Sequence, residues 1–196
     1  MFKNIPCAAG CGRPAISGGS LCFIHQANQE QETSRICELI KNNTTIKDLN
    51  VSGMRFENAD FSQRHFYGCN FKEATFYKCD FSEIKMRMSF FDFAIFNDCK
   101  FIKSDIQFCS FAGAIIEACD FSWSDTIHVN FEGAVIKATT FNNSNLYNSR
   151  YINADLLETT FVNCNLKRVY FASSKQYGIN FKSSNTAEAL FEMEER

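Results

Sequence analysis

Along most of the chain a large apolar side chain returns every fifth residue. Starting at Ile46, the series runs through Val51, Phe56, Phe61, Phe66 and Phe71 and continues without insertion to Phe181, Thr186 and Phe191. Seventeen of its 30 positions are Phe, and only Thr126, Gln176 and Thr186 are neither apolar nor aromatic. Two residues before each centre lies a second series that is small. From Ala59 to Ala189 it is Ala, Cys, Ser, Thr or Val at 24 of 27 places, with Arg64, Ile84 and Ile179 as exceptions. A helix repeats near 3.6 residues and a strand at 2, so neither generates a strict five. A chain that turns a corner after every five residues does.

Four such sides close a square coil of 20 residues, and residues 20 apart do resemble each other. Phe61, Phe81, Phe101, Phe121, Phe141, Phe161 and Phe181 form one column. The opposite column runs Phe71, Phe91, Phe111, Phe131, Tyr151, Phe171, Phe191, while Ala74, Ala94, Ala114, Ala134 and Ala154 stack in the small series. Each ring is expected to lie on its copy one coil away, with the small residue leaving room at the corner. At about 2 kcal/mol gross per buried Phe, these rings dominate stability. Thirty units over four sides make 7.5 coils, a stiff post roughly 36 Å tall at the usual strand spacing.

The units Asn58-Ala59-Asp60-Phe61-Ser62, Glu73-Ala74-Thr75-Phe76-Tyr77 and Asn153-Ala154-Asp155-Leu156-Leu157 resemble the A-(D/N)-(L/F)-x-x consensus of the pentapeptide repeat family. The resemblance implies an all-β fold, a right-handed parallel quadrilateral β-helix of about 7 coils. It does not imply one activity, because one fold serves many functions.

Before the repeat, residues 7–25 read C-x3-C-x10-C-x2-H. Two close pairs of N/S ligands joined by a Gly-containing loop can wrap one tetrahedral zinc ion without a large core, so Cys7, Cys11, Cys22 and His25 are the candidate ligands. Four protein ligands close the coordination sphere, which makes the expected zinc structural. The competing reading is an arm of unliganded thiols. The stretch also resembles a small C-x3-C-x-R-P…G-L-C-x-x-H zinc motif of bacterial and phage proteins, with Arg13-Pro14 retained and Ser20 in place of its Gly. From Gln26 to Asn42 an amphipathic helix is expected, with Ile36, Cys37, Leu39 and Ile40 on one face, covering the open first coil. Residues 186–196 read either as a short closing helix, with Ala187, Ala189, Leu190 and Met193 apolar, or as strand in register with Phe191. The expected units are a zinc knuckle over residues 1–27, a capping helix over 28–45, the β-helix over 46–191 and a tail over 192–196.

Composition narrows the chemistry. The ten cysteines come without a secretory signal at the N-terminus, and no run of apolar residues is long enough to span a bilayer, so the chain is expected to be cytoplasmic with reduced thiols. Cys69, Cys79, Cys99, Cys109, Cys119 and Cys164 fall in the small inward series and read as core filler. His65 and His128 are expected outside, on different sides, and no nucleophile-base grouping emerges. No enzymatic activity is expected. The charge, 20 basic minus 22 acidic residues or −2, favours neither an unaided grip on nucleic acid nor a strong acidic mimic.

One surface feature departs from expectation: Met88, Phe90, Phe93, Ile95, Phe108, Ile115 and Val135 fall on outward or corner positions of adjacent coils, clustered on about two sides. Trp123 and Ile127 lie on another. A contiguous apolar patch points to a protein partner or to self-association. The chain therefore reads as a non-enzymatic binding or scaffold protein that presents a rigid surface. The alternative comes from the family resemblance, which includes quinolone-resistance proteins that bind type II topoisomerases by imitating duplex DNA. Against it, the repeat region holds 19 acidic and 16 basic residues, and Lys100 interrupts Asp80 and Asp120.

Overall fold

The computed structural model describes residues 5–192. Residues 46–191 wind into a parallel β-solenoid of about 7 turns in which every strand pairs with the residue 20 positions away, as Ile46 with Phe66 or Phe96 with Ile116. Two opposite sides form ladders. One holds Thr45–Lys47, His65–Tyr67, Lys85–Arg87, Asp105–Gln107 and Asp125–Ile127. The other stacks seven strands from Arg55–Glu57 to Lys175–Tyr177. The remaining two sides are held by single bridges, among them Asn70 with Phe90 and Phe90 with Ser110 on one, and Asp80 with Lys100 and Lys100 with Asp120 on the other.

The five-residue period works because each corner takes one residue into the left-handed region. Non-glycine residues at 23 positions have φ between 48° and 62°, spaced by fives along the repeat. At the corner after Phe71, the Ala74 N–H donates to the Phe71 carbonyl at 3.1 Å, with Glu73 at φ 58° between them. That is the third position of a type II turn, where positive φ is required. Asn, Asp and Gly adopt it readily, whereas aromatic residues do so at a cost.

Inside, the rings stack as anticipated. Along the Phe61 to Phe181 column successive centroids lie 4.3 to 5.4 Å apart. Rings of neighbouring sides meet edge-on, as Phe56 with Phe61 at 83°. The small series does more than make room. Ser104, Ser124 and Ser144 donate through Oγ to the carbonyls of Phe81, Phe101 and Phe121 at 2.8, 2.5 and 2.8 Å, so these buried hydroxyls cost little.

The exceptions have reasons. Arg64 turns away from the axis, and its Nε donates to the Ile40 carbonyl at 3.1 Å, capping the C-terminal end of the helix above. Gln176 and Thr186 occupy the last described coil, where Gln176 is exposed and Thr186 half-buried, so neither has to be apolar. Thr126 and Tyr151 are fully buried with no hydrogen-bond partner for their hydroxyls among the described residues. Tyr151 stands in a column otherwise made of Phe. Burial without a partner costs roughly 1–3 kcal/mol, so Tyr151→Phe is expected to raise the unfolding free energy by about 1 kcal/mol in a denaturant titration. A loss of stability would show that the hydroxyl has a hidden partner.

The N-terminal helix α1 spans Gln29–Asn42. Asn28 caps it by accepting from the Gln31 N–H at 2.9 Å, and Ile36 and Ile40 are buried over the first coil. At the other end the strand register persists: Leu190 bridges Tyr170 and Phe191 stacks on Phe171 at 5.3 Å. Only a 3-10 turn, Thr186–Glu188, represents the closing helix, and Met193 lies outside the described residues. His65 opens the strand His65–Tyr67, whereas His128 stands one residue past Asp125–Ile127, at φ 56° on the corner column of Met88 and Phe108.

Candidate metal centre and interaction face

The segment before α1 folds around its cysteines. Pro6 and Pro14 form an antiparallel bridge, the Cys7 N–H donates to the Arg13 carbonyl at 2.9 Å, and Phe23–His25 makes one 3-10 turn that carries Cys22 and His25 on the same side. Gly10 and Gly12 flank Cys11 at φ 71° and 77°, which lets the loop fold back tightly. The four ligand atoms of Cys7, Cys11, Cys22 and His25 lie within 4.8 Å of one another. Cys7 Sγ is 3.4 Å from His25 Nδ1, Cys22 Sγ is also 3.4 Å from it, and Cys11 Sγ is 3.6 Å from Cys22 Sγ. The Cys22 N–H donates to Cys7 Sγ at 3.3 Å, and this bond is the main reason the Cys7 thiol is pulled down to about 6. Burial holds the Cys22 thiol above its ordinary value. Three thiol sulfurs and an imidazole nitrogen converging this closely could hold a metal ion, and the donor set suits soft or borderline cations.

This module is pinned to the solenoid chiefly through one residue. Asn50 donates its N–H to Ser17 Oγ (2.7 Å), donates through Nδ2 to the Ala15 carbonyl (2.6 Å), and accepts the Ser17 N–H at its carbonyl (3.0 Å). Asn70 Nδ2 in turn donates to Asn50 Oδ1 at 2.7 Å, linking the knuckle to the next coil. Arg35 of α1 reaches the Ser17 carbonyl at 2.6 Å while paired with Glu32. Sequence reasoning missed Asn50, because an Asn at a turn position looks like every other turn residue of the repeat.

The apolar set occupies one side and both of its corners. Phe90 lies within the side that carries Phe91 and Phe111 at its core, with Lys72 Nζ 5.4 Å from its ring centroid. Met88 and Phe108 stand on one corner and Phe93 on the other; all three are more than half exposed. Ile95, Ile115 and Val135 continue just past the Phe93 corner, on the seven-strand ladder. The set thus spans the Phe90 side, both of its corners and the adjoining ladder side. Between its walls the floor is small, with Ser110, Ala112, Gly113 and Gly133 on the lower coils. The Phe93 ring folds down over Gly113, where an added Cβ would come within 2.6 Å of it. Phe108 stacks on His128 at 4.8 Å.

Two of the buried thiols of the solenoid are held in their unreactive form by burial. Burial pushes Cys69 up to about 11 and Cys109 up to about 12, which leaves both protonated at neutral pH. Among the described residues no helix is long and apolar enough to cross a membrane.

A coil with a corner every five residues, a 20-residue register and axial Phe columns defines a class of parallel β-solenoids. Two stretches of this chain, residues 55–92 and 115–150, match the model of the pentapeptide repeats family as eight copies. No curated protein matches it in sequence. Among solved structures it is similar to a pentapeptide repeat protein, Rfr23, from the cyanobacterium Cyanothece 51142, at 10% identity and a TM-score of 0.33, covering 81% of this chain and 99% of that one. It is also similar to a trypsin-treated variant of QnrB1, a plasmid-mediated fluoroquinolone resistance protein, at 18% identity and a TM-score of 0.37, covering 72% and 90%. A third is HetL, involved in heterocyst differentiation regulation in the cyanobacterium Nostoc sp. strain PCC 7120, at 12% identity and a TM-score of 0.21, covering 85% and 98%.

Proposed function

We propose that the protein is a cytoplasmic, non-enzymatic binding module, in which a zinc-clamped knuckle and helix cap a rigid β-helical post that presents its apolar side to a protein partner. One observation carries this reading. Met88, Phe93 and Phe108 are large apolar residues that are both solvent-exposed and left-handed, at φ 49°, 59° and 54°, and all three border the same side. Exposure of such side chains is unfavourable, and a contiguous exposed apolar patch on one side marks an interaction surface.

The reading has a test in which stability and function move apart. Phe93→Gly with Phe108→Gly relieves two strained corners and is expected to leave the unfolding midpoint equal or higher, by up to about 1 kcal/mol per site. The same variant is expected to lose the proteins captured by the intact chain in a quantitative affinity capture. Undiminished capture would remove the patch from the function.

Zinc is supported by the donor set and its spacing. Tetrahedral zinc, with sulfur at about 2.3 Å and nitrogen at about 2.0 Å, sets ligand atoms roughly 3.4–3.8 Å apart, and the contacts of 3.4 and 3.6 Å between these atoms match. The DNA-mimic alternative draws no comparable support, since the bridged row Asp60, Asp80, Lys100, Asp120 carries a cation at its third place.

A further inference from the structure

We propose that the occupant of the apolar side is a second copy of this chain, packed antiparallel about a two-fold axis that runs parallel to the strands, midway between the rows of Phe90 and Ser110. This rests on the reading of that side as an interaction surface.

Rotation about such an axis carries each outward residue onto the same column of the neighbouring coil. Residues 90 and 110 then face each other across the interface, as do 92 and 112, 93 and 113, and 88 and 108; one coil further out 72 faces 132. Large meets small where Phe90 lies opposite Ser110 of the partner copy. The Phe93 ring already leans over Gly113 of its own chain, toward the axis, so the two Phe93 rings of the dimer meet there. Met88 faces Phe108, which joins the two exposed apolar corners.

The charges agree. Lys72 faces Glu132 of the partner copy, while within each chain Lys72 pairs with Asp92 at 3.0 Å and Glu132 with Arg150 at 3.7 Å. The interface therefore closes a four-charge row, Asp92, Lys72, Glu132 and Arg150, with alternating signs. Asp92 and Glu73 meet the uncharged Ala112 and Gly133. Registers shifted by half a coil are disfavoured: an axis on the Phe90 row sets Asp92 against Asp92, and one on the Ser110 row sets Asp92 against Glu132. An isologous interface requires this kind of self-complementarity.

The apolar part of this interface is carried by its corners: Met88, Phe93 and Phe108, each more than half exposed, together leave on the order of 300 Å² of apolar surface, within the range of patches that mark interaction sites.

Sedimentation velocity on the full chain at tens of micromolar decides the matter. The expected mass is twice the 22.4 kDa of the chain. Lys72→Glu alone and Glu132→Lys alone each set like charges across the axis, and each is expected to weaken the dimer at least tenfold, with circular dichroism unchanged. Mixing the two variants restores attraction at both contacts, so the mixed dimer is expected to reform. A monomer at all concentrations, or a dimer indifferent to both reversals, overturns the inference. If the chain is monomeric yet the Phe93→Gly, Phe108→Gly variant still loses captured proteins, the interaction surface stands and its occupant is a different protein.

Discussion

Phe101→Ala is expected to lower the unfolding free energy by about 3–5 kcal/mol, the range for truncating a buried aromatic side chain. Phe101 lies inside the all-Phe ring column, stacked on Phe81 at 4.7 Å and 2° and on Phe121 at 4.3 Å and 4°, with Phe96 edge-on at 5.5 Å. The cavity cannot close, because the coils above and below are held at strand spacing by bonds such as Phe101 N–H to the Asp120 carbonyl at 2.7 Å. Where neighbours cannot relax, the cavity adds its full cost to the lost transfer energy. Phe101→Leu keeps most of the volume and should cost under about 1.5 kcal/mol. Because each coil touches only its neighbours, a defect at mid-length is also expected to reduce cooperativity and broaden the guanidinium transition. A loss below about 1.5 kcal/mol for the alanine variant would mean that the column is not the main source of stability.

Removing the metal is expected to loosen one end of the molecule and spare the rest. Cys22→Ser deletes the sulfur that lies within 3.6 Å of both Cys11 Sγ and His25 Nδ1, and metal content is expected to fall from about one ion per chain to near zero by elemental analysis. Since structural metal binding is folding free energy, the Ala15–Ser17 strap should then release Asn50. In hydrogen exchange the amide of Asn50, which donates to Ser17 Oγ, should lose protection, while that of Phe101, deep in the post, keeps it. Chelator on the intact protein should reproduce the pattern. Acid should do so as well: only the thiolate binds metal, and the Cys7 thiol lies at about 6, so affinity falls as pH drops through that value. Uniform loss of protection along the chain would mean that the knuckle is part of the fold's nucleus and not a cap.

How much of this was legible beforehand follows from the kind of interaction involved. A period is a local property, so Phe61, Phe81 and Phe101 announced their column without coordinates, and the inward cysteines announced their role as filler. The C-x3-C-x10-C-x2-H spacing brought Cys7, Cys11, Cys22 and His25 together because short loops leave their ends few places to go. What escaped were contacts between elements distant in sequence. Arg64 looked like a flaw in the small series until α1 was seen above it, its terminal carbonyls within reach of that guanidinium.

The chain's own pattern determined the square coil, the number of turns, the axial columns and the identity of the ligand cluster, since each depends on residues at fixed spacing repeating one local conformation. Only the tertiary structure decided that Asn50 ties the knuckle to the post, that Phe93 lies across Gly113, and that the exposed apolar corners flank one side with a small-residue floor. Those features arise where different coils or different modules meet, and side-chain direction at a corner depends on a left-handed backbone that five-residue spacing locates but does not aim.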